Sequence, residues 1–197
     1  MKNKKILLVG GSGFIGHNLA LKLREKGANP VVVDSLAVNN ILSNDGKEVH
    51  NKELYNSILK SRLDLLKKKD IKLIIQDARE YHTVSRIYDD ISPDIIIHLA
   101  AVSHANKSNK DPHSTFDHSL RTLENTLDFA KNKKVHVIYM SSSMVYGDFN
   151  ADKVNEDKNC KPIGIYGTLK FSGELLVKSY NQVFDLPYTI IRPSALY

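Results

Sequence analysis

Tyr166 and Lys170 lie four residues apart in a stretch, residues 165–184, whose apolar spacing predicts a helix. That interval puts both side chains on one helical face. A phenol ionises near about 10 in water, so a tyrosine works as a base near neutrality only where positive charge stabilises its anion. An ammonium one helical turn away supplies such charge. Tyr and Lys four apart are frequent by chance, but a run of hydroxyls, Ser141–Ser143, closes the strand predicted just upstream. No Gly-x-Ser-x-Gly elbow accompanies these serines, which disfavours a serine-hydrolase nucleophile.

A second constellation sits near the start. Gly10-Gly11-Ser12-Gly13-Phe14-Ile15-Gly16 separates the apolar run Lys5–Val9 from the amphipathic stretch 14–26. A glycine triplet alone is a weak signal, whereas one placed between a strand and a helix is the setting that binds a dinucleotide. Gly10 suits the tight turn, Gly13 the approach of backbone to a pyrophosphate, and Gly16 close packing of the helix on the sheet. Phe14 and Ile15 begin that helix, whose unpaired N–H groups would face the phosphates. Asp34, followed by Ser35, ends the next apolar run. A carboxylate there accepts hydrogen bonds from ribose hydroxyls and repels a 2′-phosphate. No arginine follows to neutralise one, so NAD is favoured over NADP. The oxidised nicotinamide would add to the positive charge around Tyr166.

The elements that must position these groups alternate along the whole chain. Strands are predicted at 5–9, 30–33, 72–75, 94–98, 135–140 and 188–192, and helices at 14–26, 52–68, 79–90, 111–131 and 165–184. Gly27 stops the first helix, Pro112 opens the fourth, and 35–50 and 147–165 read as loops. Strands this apolar must be covered on both faces, which gives an α/β fold, a doubly wound Rossmann-type parallel sheet of about six strands. Ligands in such sheets bind beyond the carboxyl ends of the strands, where the motifs fall.

These motifs resemble the extended short-chain dehydrogenase/reductase family, in particular its NAD-dependent nucleotide-sugar epimerases and dehydratases. The resemblance is carried by Gly10, Gly13, Gly16 and Asp34, then Asp77-Ala78 and His98-Leu99-Ala100-Ala101. It continues with Ser141-Ser142-Ser143-Met144-Val145-Tyr146-Gly147, Tyr166-x-x-x-Lys170 and Arg192-Pro193-Ser194-Ala195-Leu196-Tyr197. It implies that Asp77 contacts the adenine amino group beside Ala78, and that Leu99, Ala100 and Ala101 line the path of the pyrophosphate and nicotinamide ribose. It selects Ser142 as the hydroxyl that holds the reacting sugar hydroxyl, with Tyr166 the base and Lys170 its partner.

The implied reaction is NAD-dependent epimerisation of a nucleotide sugar through a keto sugar, with a UDP-hexose inverted at C4 as the expected case. Dehydratases of the family carry acidic residues after the catalytic hydroxyl; Ser143 and Met144 cannot do their acid–base work. Other NAD-dependent dehydrogenase, reductase or dehydratase chemistry, and an NAD-binding module without turnover, are the alternatives. Three positions in two motifs depart from the family pattern. Ser119 and Thr122 replace an Asn and a Gly beside the site, and Ala195 replaces an Asn that often touches substrate. Ser119 still offers a hydroxyl toward the cofactor. The family pattern would continue past Tyr197 into a substrate lobe, so the 197 residues are expected to be one NAD-binding domain cut before that lobe.

Composition excludes several other classes. Hydrophobic residues make up 42% of the chain, and a single cysteine, Cys160, permits no internal disulfide, which favours a reducing compartment. The net charge of +6 comes from lysines at helix ends and strand starts, without the aromatic interleaving of a nucleic-acid surface. No apolar run approaches the about 18 residues of a membrane span. A cytoplasmic location follows, with no nucleic-acid or membrane partner. The eight histidines, His98, His104, His113 and His118 among them, lack zinc spacing with Cys160 or a carboxylate, so no metal is expected. The resemblance makes a homodimer through the helices at 111–131 and 165–184 a further expectation.

Overall fold

Ile6, Leu7, Leu8 and Val9 have no exposed surface in the computed structural model, which describes residues 2–38, 40–44, 51–102, 105–149 and 153–194. They form β1 (Lys5–Val9), flanked on both sides by parallel neighbours. A strand buried on both faces has to be apolar at every position. Residues 1–100 and 101–197 form two compact units.

In the first unit β1 pairs with β2 (Asn29–Asp34) and β4 (Ile95–His98), and β2 pairs with β3 (Lys72–Ile75), all parallel. Three helices make the crossovers: α1 (Phe14–Glu25), α2 (Lys52–Lys68) and α3 (Tyr81–Ile91). Gly27, at φ 81°, ends α1, and the N–H of Ala28 returns to the Leu23 carbonyl at 3.0 Å. Asn51 caps α2 by accepting from the Leu54 N–H at 3.3 Å. The predicted loop 35–50 contains a 3₁₀ turn at Ile41–Asn44.

In the second unit β5 (His136–Met140) and β6 (Tyr188–Ile191) pair in parallel, with Met140 opposite Ile191. The six predicted strands all form, in the order β3-β2-β1-β4 in the first unit and β5-β6 in the second. A short helix that periodicity did not predict, α4 (Ala105–Lys110), precedes α5 (Pro112–Phe116). The helix predicted over 111–131 continues from α5 through a π turn at Asp117–Arg121 into α6 (Thr122–Lys133). Thr122 Oγ1 donates to the His118 carbonyl at 2.9 Å, a local bond that competes with the regular helical ladder. α7 (Gly164–Phe184) lies against the 3₁₀ turn Ser143–Tyr146: a Cβ on Gly167 would stand 2.8 Å from the Met144 carbonyl oxygen.

The close approach assigned to Gly16 is to the glycine turn itself. A Cβ there would lie 2.5 Å from the Cα and carbonyl oxygen of Gly11, while Gly11 is the residue that presses on Leu8 and Val32 of the sheet. Backbone cannot yield as a side-chain tip does. Gly16→Ala is therefore expected to destabilise the fold by about 1–3 kcal/mol, read as a lowered thermal midpoint. An unchanged midpoint would contradict this packing.

Candidate active site

In the first unit the turn after β1 is built around Gly10, at φ 75°, where a Cβ would meet Ala100 at 2.7 Å. The strand ends hold the turn: Gly10 N–H donates to Val33 and Leu99 N–H donates to Val9, each at 2.8 Å. Gly13 then caps α1 without a side chain, and the first turn of α1 holds no acidic residue. Its amides and partial positive charge thus have no side-chain anion as partner. Beside Gly13 there is room, since a Cβ would meet nothing nearer than the Gly10 carbonyl oxygen at 3.8 Å. A tight turn, an unneutralised helix start and open space at Gly13 together fit a pyrophosphate. Phe14 is exposed, with Arg62 5.8 Å above its ring, and Ile15 is half-buried.

Asp34 closes onto this turn. Its Oδ2 accepts from Ser12 N–H at 3.0 Å and its Oδ1 from Leu36 N–H at 2.8 Å. Asn40, 2% exposed and unforeseen in the sequence, donates to Ser12 Oγ at 2.8 Å and ties the following loop to the turn. Ser35 Oγ accepts from Ala37 N–H at 3.3 Å. Asp77 and the buried Ala78 follow β3; the carboxylate is forked by Arg79, with Nη2 to Oδ2 at 2.7 Å. Leu99 and Ala100 follow β4, and Ala101 opens the second unit.

The second unit gathers the proton-transfer groups. Ser142 caps the 3₁₀ turn, its Oγ accepting from Met144 N–H at 3.2 Å. Its side chain also acts on Tyr166, favouring the phenolate. Lys170 is 5% exposed; its Nζ donates to the Met140 carbonyl at 2.7 Å and lies 5.3 Å from the Tyr139 ring centre. Burial raises the Tyr166 hydroxyl above its ordinary range, and the Ser142 side chain opposes that shift. Relief for the tyrosinate thus comes from Ser142 here, while Lys170 is directed at Met140. Ser119, 7% exposed, sits in the π turn.

Sequence reasoning missed Glu174, which has no exposed surface. Its Oε1 accepts from Ser141 Oγ at 2.6 Å and Arg192 Nε at 2.9 Å, and its Oε2 from Arg192 Nη2 at 2.7 Å. Arg192 Nη1 donates to the Tyr146 hydroxyl at 2.9 Å. The spacing of four beyond Lys170 was the available signal. A cavity of about 730 Å³ adjoins this pair, lined by Ser143, Tyr146, Phe149, Glu156, Tyr188 and Arg192 among others. Ala195 and His104 lie outside the described residues. Among the described residues no cluster of ligands could hold a metal, and no helix is long and apolar enough to cross a membrane.

The sequence model of the NAD dependent epimerase/dehydratase family matches residues 6–197. The chain belongs to that family. Its relatives include Protein CapI of Staphylococcus aureus, 29% identical over 98% of this chain and 54% of that protein. The dTDP-D-glucose 4,6-dehydratase of Dictyostelium discoideum is 31% identical over 98% of this chain and 44% of its own length. The structure resembles a UDP-glucuronic acid 4-epimerase from Bacillus cereus solved with UDP-glucuronic acid and NAD, with a TM-score of 0.78 and 28% identity over 95% of this chain and 55% of that one. A UDP-glucose 4-epimerase from Brucella ovis, in complex with NAD, shares the fold at a TM-score of 0.78 and 24% identity, over 96% of this chain and 51% of that one. The chain spans about half the length of the relatives it matches.

Within this family member, burial lowers the Lys170 ammonium from 10.5 to about 8. Between those values the unfolded chain binds the extra proton, so stability rises with pH across that window. Tyr139 and Tyr166, both raised by burial, act in the opposite direction once the unfolded phenols ionise near about 10. From pH 7 to pH 10 the wild type should gain about 2–3 kcal/mol relative to Lys170→Met, measured by urea unfolding. An equal pH response in both proteins would assign the titration elsewhere.

Proposed function

We propose that this chain carries the cofactor-binding and proton-transfer machinery of an NAD-dependent nucleotide-sugar epimerase, acting on a UDP-hexose or its uronate at C4. The carrying observation is the grouping of Tyr166 and buried Lys170 one turn apart on α7 with Ser142, whose side chain favours the phenolate, followed by Ser143 and Met144, which supply no second acid or base. The open space at Gly13 and the uncapped start of α1 support a pyrophosphate in the first unit. Asp34 would accept from ribose hydroxyls and Asp77, held by Arg79, from the adenine amino group, with Ala78, Leu99 and Ala100 alongside. When bound, NAD would supply the hydride acceptor and donor for the sugar carbon.

The remaining chemistry belongs to the chain. As the anion, the Tyr166 oxygen takes the proton of the sugar hydroxyl, with the Ser142 hydroxyl bridging the two. The carbon that loses its hydrogen becomes a carbonyl. Once the keto sugar has turned its other face, Tyr166 gives the same proton back and the alcohol re-forms inverted. Lys170, protonated below about 8, holds the end of β5 through the Met140 carbonyl. Neighbouring relatives named as UDP-sugar 4-epimerases support the substrate class. A second reading, an NAD-binding unit without turnover, is favoured by the half-length coverage of those relatives.

A screen of UDP-hexoses and UDP-hexuronates, with products identified by NMR, should show inversion at C4. Tyr166→Phe should then lower turnover by about 10²–10⁴-fold while NAD affinity holds; retained turnover would remove Tyr166 as the base. NAD binding without conversion of any sugar would favour the second reading.

Gly13→Ala tests the cofactor half separately. The new methyl meets no atom closer than 3.8 Å, so the fold should keep its thermal midpoint. NAD affinity, by calorimetric titration, should fall at least about tenfold, since the methyl fills the space of a close phosphate–amide approach. Unchanged affinity would place the pyrophosphate elsewhere.

A further inference from the structure

Three consecutive residues at the end of β5 meet three residues spaced by four on α7. The Met140 carbonyl accepts from Lys170 at 2.7 Å, and Ser141 Oγ donates to Glu174 at 2.6 Å. Ser142 caps the turn that follows, and its side chain favours the Tyr166 phenolate. The middle pairing is the most enclosed, because Glu174 has no exposed surface. Both its oxygens are engaged by Ser141 and by the fork of Arg192. Arg192 continues to the Tyr146 hydroxyl at 2.9 Å and lies 4.9 Å from the Tyr146 ring centre. Tyr146 ends the 3₁₀ turn that Ser142 opens. Glu174 therefore reaches Ser142 by two routes: through its chain neighbour Ser141, and through the far end of its turn.

Stability is a poor reason for this arrangement. A buried ion pair replaced by well-packed apolar groups of similar volume is often no less stable. Nor are the oxygens of Glu174 available for proton transfer to a sugar, since both are committed within the protein. We propose that Glu174 is a positioning residue, which fixes the Ser142 hydroxyl against Tyr166 through Ser141 and Arg192. This inference rests on the role given to Tyr166 above. It adds to that role a carboxylate which never touches the reacting atoms.

The test reads Tyr166 directly, in chain labelled with [ζ-¹³C]tyrosine, its resonance assigned by its loss in Tyr166→Phe. Ser141→Ala removes the middle pairing and leaves the Glu174–Arg192 pair intact. The Tyr166 resonance at neutral pH, which reports its surroundings, should move, and its titration midpoint should rise by about one pH unit. The direction follows from displacing the Ser142 hydroxyl, which favours the anion. Ser141→Thr keeps the hydroxyl and should restore both readings, while Glu174→Gln should shift them as Ser141→Ala does. NAD affinity should stay within about twofold throughout.

A Tyr166 resonance and midpoint that ignore Ser141→Ala, with or without a lower thermal midpoint, would make Glu174 merely structural and overturn the proposal. The same holds if Ser141→Thr fails to restore them. These readings need no sugar turnover. A wild type that converts no UDP-sugar while Ser141→Ala shifts Tyr166 would overturn the proposed reaction and leave the positioning role standing.

Discussion

Two ionisable side chains one turn apart on α7, Lys170 and Glu174, are removed from water, at 5% and 0% exposure. Neither can remain charged in an apolar interior without partners, because desolvating an ion costs several kcal/mol before any attraction is counted. The structure meets each demand differently. Lys170 turns to a carbonyl and the face of Tyr139; Glu174 takes a serine hydroxyl and an arginine fork. The hydrogen bond to Glu174 in turn holds the Arg192 guanidinium above its already high range. Meeting these demands ties α7 to the ends of β5 and β6, and so decides where Ser142 and Tyr166 stand. Arg192 also contributes to the wall of the adjoining cavity, so the group that satisfies Glu174 borders open space as well.

The first unit works by the opposite means. Its proposed phosphate site is made by leaving side chains out: none caps α1, no acidic residue occupies its first turn, and Gly16 and Gly11 approach to a distance no Cβ would allow. Side chains enter only around the rim, where Asp34 closes on the Ser12 amide and Asn40 on the Ser12 hydroxyl. Backbone amides suit a phosphate, which needs several donors around a diffuse charge. A proton transfer needs one titratable atom with a tuned affinity, which only side chains provide.

This division explains what could be read in advance. β1, β3 and α2 form over the predicted bounds because continuous apolar runs and helical periodicity are local signals. The glycine turn, Asp34 and the Tyr166–Lys170 pair were legible for the same reason, since their meaning lies in short spacings. α4 was missed because Ala105–Lys110 is polar and lacks an apolar period. The π turn has no period of its own and leaves Thr122 bonding to the His118 carbonyl where a plain helix was expected. Glu174 and Arg192 were hidden for a different reason. Their pairing joins α7 to the end of β6 and draws in Ser141, over separations that no local pattern encodes. Gly16 was read as a packing residue, but which surface it packs on emerged only from the backbone path.

The sparseness of the second unit's chemistry bears on the reaction proposed for it. Water elimination from a sugar requires a base at one carbon and an acid at the next, hence two further titratable groups beside the oxidised carbon. Immediately after Ser142, Ser143 offers a hydroxyl and Met144 a thioether. The backbone of Met144 is already used, its N–H by Ser142 Oγ and its carbonyl by close packing on Gly167. Glu174, the nearby carboxylate, is closed off by Ser141 and Arg192. Of the groups gathered on α7 and the Ser142 turn, a phenol and the serine that adjusts it are left for proton transfer. Epimerisation asks for no more, because the proton taken from the hydroxyl in the forward half is the one returned in the second. A single site used twice is enough, and its demand falls on geometry: the phenol has to meet the same sugar oxygen before and after the keto sugar turns its other face. The rigid anchoring of Ser142 from both ends of its turn answers that demand.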